Sequence, residues 1–189
     1  MGQRGATLLG RLMVESLMIE SPWPQLFSGA WAQPSASAGA LVAGLVGELG
    51  EGLKQIQEWL DDAPFFPRVV AAAADALAQA YLVRLAIALD PATAPTTVSS
   101  WGPKELDALE RDVGTISSAL SSFPAAGAAG RSLDELTEAS QILRLPLAAP
   151  DDDSESFSAA VRVLVGLVRR HPMTLHGRLV KFTELALAA

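Results

Sequence analysis

Apolar residues recur at three- and four-residue steps through most of this chain, and the breaks between those runs predict about seven helices and no strand. The longest run, Pro67 to Leu89, places Val70, Ala74, Leu77, Tyr81, Leu85 and Ala88 on one stripe and adds Val69, Leu82, Val83 and Ile87 on other faces. A helix that is apolar nearly all round needs neighbours on most sides. Asp75, Gln79 and Arg84 interrupt it at mid-span, where a charge is costly in hydrocarbon, so the run reads as a central core helix and not as a membrane span. Pro67 suits a first helical turn, and the alanines after it have the highest intrinsic helix propensity.

The other runs follow in order. Leu8, Leu9, Leu12, Met13 and Leu17, flanked by Val14, Met18 and Ile19, predict a first helix from Thr7 to Glu20, stopped by Ser21 and Pro22. Leu26, Phe27 and Trp31 form a short aromatic segment suited to plug one end of a helical bundle. Ser35 or Ser37 is the expected cap of a second helix reaching Leu60, with a stripe of Leu41, Leu45, Leu49, Leu53, Ile56 and Leu60 and with Val42, Val46 and Trp59 beside it. Gly39, Gly44, Gly47, Gly50 and Gly52 in that stretch each cost about 1 kcal/mol relative to alanine, a cost that close approach of a neighbouring helix would offset. Phe65 and Phe66 are placed to staple the start of the central helix.

Residues 90 to 100 read as a proline-rich loop, and Pro103 with Glu105 opens a fourth helix. Its buried stripe is Leu106, Leu109, Val113, Ile116, Leu120 and Phe123, and Glu110, Arg111 and Asp112 read as its wet face. Residues 124 to 130 are an alanine–glycine stretch expected to be flexible, after which Ser132 and Glu135 make a capping box for a fifth helix carrying Leu133, Leu136, Ala139, Ile142 and Leu143. Asp151, Asp152, Asp153 and Glu155 cap a sixth helix lined by Phe157, Val161, Leu164, Val165 and Val168, and a seventh carries Leu179, Phe182, Leu185 and Ala186. The expected architecture is all-α, antiparallel helical bundles stacked into a short rod. Residues 1–123 form an N-terminal bundle and 124–189 a C-terminal segment packed end-on, or else the two are continuous.

Composition narrows the function classes. The 189 residues are 50% hydrophobic and 19% charged, enough apolar surface for a sizeable core and too much periodicity for global disorder. A net charge of -7 and a pI near 4.8 argue against nucleic acid or anionic lipid as the main partner. With no cysteine there is no disulfide, thiol nucleophile or thiolate metal site, which fits a cytoplasmic address. Ala6 stands where a myristoylation motif wants serine or threonine, and Arg11 splits the apolar region a signal peptide would need.

Few reactive constellations stand out along the chain. Asp151, Asp152 and Glu155 mimic an acidic metal motif of the kind a helical lyase uses, but the chain has no asparagine to complete the partner motif, and a helix cap explains the carboxylates. His171 and His176 lack the one-turn spacing of a zinc helix. No nucleophile elbow, dinucleotide loop or phosphate loop is present. The expectation is therefore a non-enzyme with no catalytic, cofactor-binding or metal residues. Arg162, Arg169, Arg170, Arg178 and Lys181 gather near the C-terminus as a possible cationic partner surface. A rival reading is an all-α ligand-binding or regulatory domain with an apolar pocket lined by Trp59, Phe66 and Tyr81.

The order of landmarks resembles the C-terminal region of the exocyst complex component 3 family, a vesicle-tethering subunit. Leu26 and Phe27 followed by Trp31 match the family's step between helices, and Glu58, Trp59, Leu60 and Asp61 match an aromatic and acidic helix end. Tyr81 and Leu82 match a Tyr-Leu pair, and Glu105 to Phe123 an acidic helix. Leu133 to Leu145 match the next segment, Arg170, His171 and Pro172 a helix end, and Leu179 and Val180 the lead of the last helix. The family's N-terminal coiled-coil and rod portions have no counterpart in these residues. The resemblance implies stacked helical bundles, no catalysis and no cofactor. It also implies assembly with the other exocyst subunits, and contacts with SNARE proteins and plasma-membrane anchors at sites of secretion. Association with the membrane would be at most peripheral.

Overall fold

The computed structural model describes residues 3–20, 26–27, 31, 39–60, 65–89, 102–123 and 126–144. Among them there are five helices and no strand: α1 Gln3–Glu20, α2 Ala40–Leu60, α3 Phe66–Leu89, α4 Pro103–Ser121 and α5 Ala126–Arg144. The expected sixth and seventh helices, the acidic run from Asp151 and both histidines lie outside the described residues.

α3 is the axis of the packing. It meets α1, α2 and α5, while α4 meets α2 and α5. Val69, Val70, Ala74, Leu77, Tyr81, Leu82, Val83, Leu85 and Ala88 are all buried, so the run that is apolar on every face is covered on nearly every face. The stretch Phe66–Ala88 is long and apolar enough to cross a bilayer, yet 78% of its apolar window is buried within the chain. Arg84 is half-buried, and desolvation lowers its affinity for a proton from the ordinary guanidinium value.

α4 begins as expected at Pro103, and the Gly102 N–H donates to Glu105 Oε2 at 2.9 Å, satisfying one donor at the helix start. Its predicted stripe from Leu106 to Phe123 is buried throughout. Phe123 meets Phe66 edge to face with centroids 6.3 Å apart, tying the end of α4 to the start of α3. α5 corrects the sequence reading: it starts at Ala126, so the alanine–glycine stretch is helical and the helix does not begin at Ser132. The high helix propensity of the alanines outweighs the cost of the glycines there. Leu133, Leu136, Ala139 and Leu143 join the same apolar cluster as α1 to α4. At the other end Arg144 reaches Asp107 at 2.7 Å and Glu110 at 2.8 Å on α4, a half-exposed pairing that contributes on the order of 0.5 kcal/mol.

Two expectations for α2 change. Its first intrahelical bond runs from the Ala43 N–H to the Gly39 carbonyl, so Gly39 holds the cap position, with φ +82° that side chains disfavour. Trp59 is 78% exposed and does not join the buried stripe. Of the glycines within the helix, only Gly52 is approached closely, by Met13 Cε at 2.9 Å from where a Cβ would stand. Gly44, Gly47 and Gly50 face open space, so no neighbour offsets their cost. Gly44→Ala and Gly47→Ala are each expected to raise the stability by about 0.5–1 kcal/mol, read as a higher urea midpoint at unchanged slope. A lowered midpoint would mean that this face is covered.

Candidate functional site

The most unusual chemistry in the fold is a carboxylate with no access to solvent. Asp112 lies three residues after Leu109 and four before Ile116, which is the register of the buried stripe of α4. The sequence reading assigned it to the wet face with Glu110 and Arg111; those two are exposed as expected, but Asp112 is 0% exposed. Its register was the available signal, and its charge concealed it.

Three elements converge on this group. Trp31 donates its indole Nε1–H to Asp112 Oδ2 at 2.8 Å. Tyr81 of α3 donates its hydroxyl to the same oxygen at 3.2 Å. Phe27 closes the cluster, meeting the Trp31 ring at 4.6 Å and the Tyr81 ring at 5.2 Å, both edge to face. The aromatic plug read from Leu26, Phe27 and Trp31 is therefore buried as expected, but it carries a polar tie that its apolar character did not announce. Phe27 takes φ 62°, a left-handed conformation that costs an L-residue on the order of 1 kcal/mol, and the two ring contacts hold it there.

Asp112 Oδ1 accepts no hydrogen bond. The nearest cation, Arg111 Nε, stands 3.9 Å from it, an ionic contact too long to be a hydrogen bond. Burial dominates and raises the proton affinity of Asp112 above the ordinary carboxylate range, opposed in turn by the Trp31 hydrogen bond, the Arg111 charge and the Tyr81 hydrogen bond. Burial likewise pushes the Tyr81 hydroxyl well above its usual value, with the charge of Asp112 adding to it, so Tyr81 remains a donor at any physiological pH. The arrangement can anchor and orient; a carboxylate sealed from solvent has no route to a substrate.

The pocket expected between Trp59, Phe66 and Tyr81 does not form, because Trp59 faces solvent, Phe66 packs on Phe123 and Tyr81 packs on Phe27. Open grooves are present elsewhere among the described residues. One of about 280 Å³ runs between α2 and α4 and is lined by Val46, Gly47, Gly50, Thr115, Ala119 and Phe123. Another, about 520 Å³, is lined by Arg4, Thr7, Leu8 and Arg11 of α1. Among the described residues no three histidine or carboxylate groups come together as metal ligands. The expected partner surface, Arg162, Arg169, Arg170, Arg178 and Lys181, lies outside the described residues. Comparison with protein-family models, curated proteins and solved structures gives no match.

Proposed function

We propose that this chain is a non-catalytic helical module, a subunit or fragment, of the exocyst tethering complex. It helps hold secretory vesicles at the plasma membrane before SNARE-mediated fusion, through its outer surfaces. In this reading the helices are antiparallel bundles stacked into a short rod of about seven helices. The module is cytoplasmic and peripheral at secretion sites, and its partners are the other exocyst subunits, with SNARE proteins and membrane-anchor proteins as further contacts. The cationic group from Arg162 to Lys181 is the proposed partner-facing surface.

The observation that supports the reading is where three landmarks of the resemblance meet. The Leu26-Phe27 to Trp31 step, the Tyr81-Leu82 pair and the acidic helix from Glu105 to Phe123 are remote in sequence, yet Trp31, Tyr81, Phe27 and Asp112 form one buried cluster. Residues that share one structural duty have a physical reason to occur together and in that order. The test is an affinity-tagged full chain expressed in secretory cells. The other exocyst subunits are expected to co-purify, and to be lost when Arg162, Arg169, Arg170, Arg178 and Lys181 are all changed to glutamate. A preparation of folded chain that retains none of those subunits overturns the proposal.

A further inference from the structure

A carboxyl group offers two oxygens, and Asp112 uses them unequally. Oδ2 accepts from both the Trp31 indole at 2.8 Å and the Tyr81 hydroxyl at 3.2 Å, while Oδ1 is buried with no hydrogen-bond partner. When the group is neutral its proton therefore belongs on Oδ1, because an O–H on Oδ2 would face two donors. When the group is ionised, the same Oδ1 is a buried anionic acceptor without a donor, a state costly enough to draw in a cation within reach. Among the described residues that cation is Arg111. Its Nε stands 3.9 Å from Oδ1, and its side chain is 41% exposed and so has room to turn.

The Arg111 side chain has a second neighbour. Gly39, the cap residue of α2, takes φ +82°, and a Cβ there would stand 3.0 Å from Arg111 Nε, 3.6 Å from Cδ and 3.7 Å from Cζ. The guanidinium end of Arg111 thus lies against the start of α2, where a residue without a side chain leaves it space. The charged and titratable groups that act on Asp112 are Arg111 from its own helix and Tyr81 from α3, and the turn contributes Trp31, which does not titrate. Tyr81 keeps its proton, so Arg111 is the group left to respond when Asp112 changes charge.

We propose that Arg111 and Asp112 are a proton-operated latch between α4 and the start of α2. With the proton on Oδ1, two donors face each other and Nε stays at 3.9 Å. Loss of the proton turns Oδ1 into an acceptor, and the Nε–H closes onto it by about 1 Å to make a charge-assisted hydrogen bond. That movement shifts the guanidinium against Gly39, so the first turn of α2 registers the protonation state of a carboxyl on α4. The latch is independent of the tethering proposal.

An NMR titration of the full chain tests it. The Asp112 carboxyl carbon, the Arg111 Nε and the Gly39 amide are expected to titrate with one common midpoint, and Asp112→Asn should leave Nε and the Gly39 amide flat over the same pH range. Arg111→Lys keeps a cation but has no N–H at the Nε position, so the proton affinity of Asp112 should rise by about tenfold, the equivalent of one charge-assisted hydrogen bond. An Nε resonance that does not move through the Asp112 titration, or a natural midpoint retained in Arg111→Lys, overturns the closing step. A Gly39 amide that does not move overturns the link to α2.

Discussion

Asp112→Ala is expected to destabilise the fold by roughly 3 kcal/mol, among the largest effects of any single side-chain truncation here. The change leaves the Trp31 indole N–H and the Tyr81 hydroxyl buried without an acceptor, at about 1–3 kcal/mol each, and opens a small cavity. Against this stands the relief of a desolvated charge. That relief is bounded, because the carboxyl can take up a proton inside the fold, at about 1.4 kcal/mol for each tenfold difference between its affinity and the ambient proton concentration. The orphaned donors therefore win.

Asp112→Asn separates the two contributions. Its amide oxygen still accepts from Trp31 and Tyr81, so the loss should be within about 1 kcal/mol. The pH dependence carries the sign. Because burial raises the proton affinity of Asp112 in the folded chain, the folded state holds more protons than the unfolded state between the ordinary carboxylate value and the raised one. Asp112 therefore contributes a growing penalty as pH rises through that window and a constant one above it. Relative to Asp112→Asn, the natural chain should gain stability as pH falls from neutral into that window. Urea unfolding followed at several pH values checks this. Equal losses for the alanine and asparagine variants, or a difference that does not vary with pH, would contradict the account of the buried carboxylate.

Gly10→Val is expected to separate α1 from α3 altogether. A Cβ at Gly10 would stand 2.4 Å from the Val69 carbonyl oxygen, 2.9 Å from the Ala73 backbone nitrogen and 3.0 Å from Ala72 Cβ. Two of those three atoms are backbone of a buried helix, which cannot rotate aside as a side chain can. Even Gly10→Ala should lose about 2 kcal/mol, since overpacking outweighs the gain of about 1 kcal/mol in helix propensity. The valine variant adds bulk and should leave α1 undocked, seen as loss of amide-exchange protection in Ala6, Val14 and Met18 while α4 stays protected. If Gly10→Ala instead raised stability, as the solvent-facing Gly44→Ala and Gly47→Ala should, α1 and α3 would not be in backbone contact.

These two sites show how far local pattern carries. The runs along α3 and α4 predicted buried faces that are buried, from Val69 to Ala88 and from Leu106 to Phe123. Helical period is set within a few turns of chain, and a long apolar run leaves little choice of element. The start of α5 was misread because Ser132 and Glu135 satisfy a capping rule locally, while the alanines before them continue the helix back to Ala126. On α1 helical spacing marked Leu8, Leu9, Leu12, Met13 and Leu17 with Val14, Met18 and Ile19 beside them; Leu9, Met13 and Leu17 are half-buried against the core, Leu8, Leu12 and Ile19 are exposed, and the buried face is Ala6, Gly10, Val14 and Met18. Small residues won because they let two helices approach to backbone contact, an advantage that exists only once the partner is present.

By itself the sequence determined the helical class, the position of α3 as the element needing cover on every side, and the apolar stripes of α2 and α4. Those properties depend on neighbours a few residues apart, through backbone hydrogen bonding and side-chain period. Tertiary structure alone decided that Asp112 is an interior acceptor for Trp31 and Tyr81, that Gly10 is a contact point and Gly47 is not, and that Trp59 faces solvent. Each of these turns on which atoms of remote segments fill the space around a residue. The same carboxylate, glycine or indole is stable in water or in the core depending on partners that the local pattern does not name.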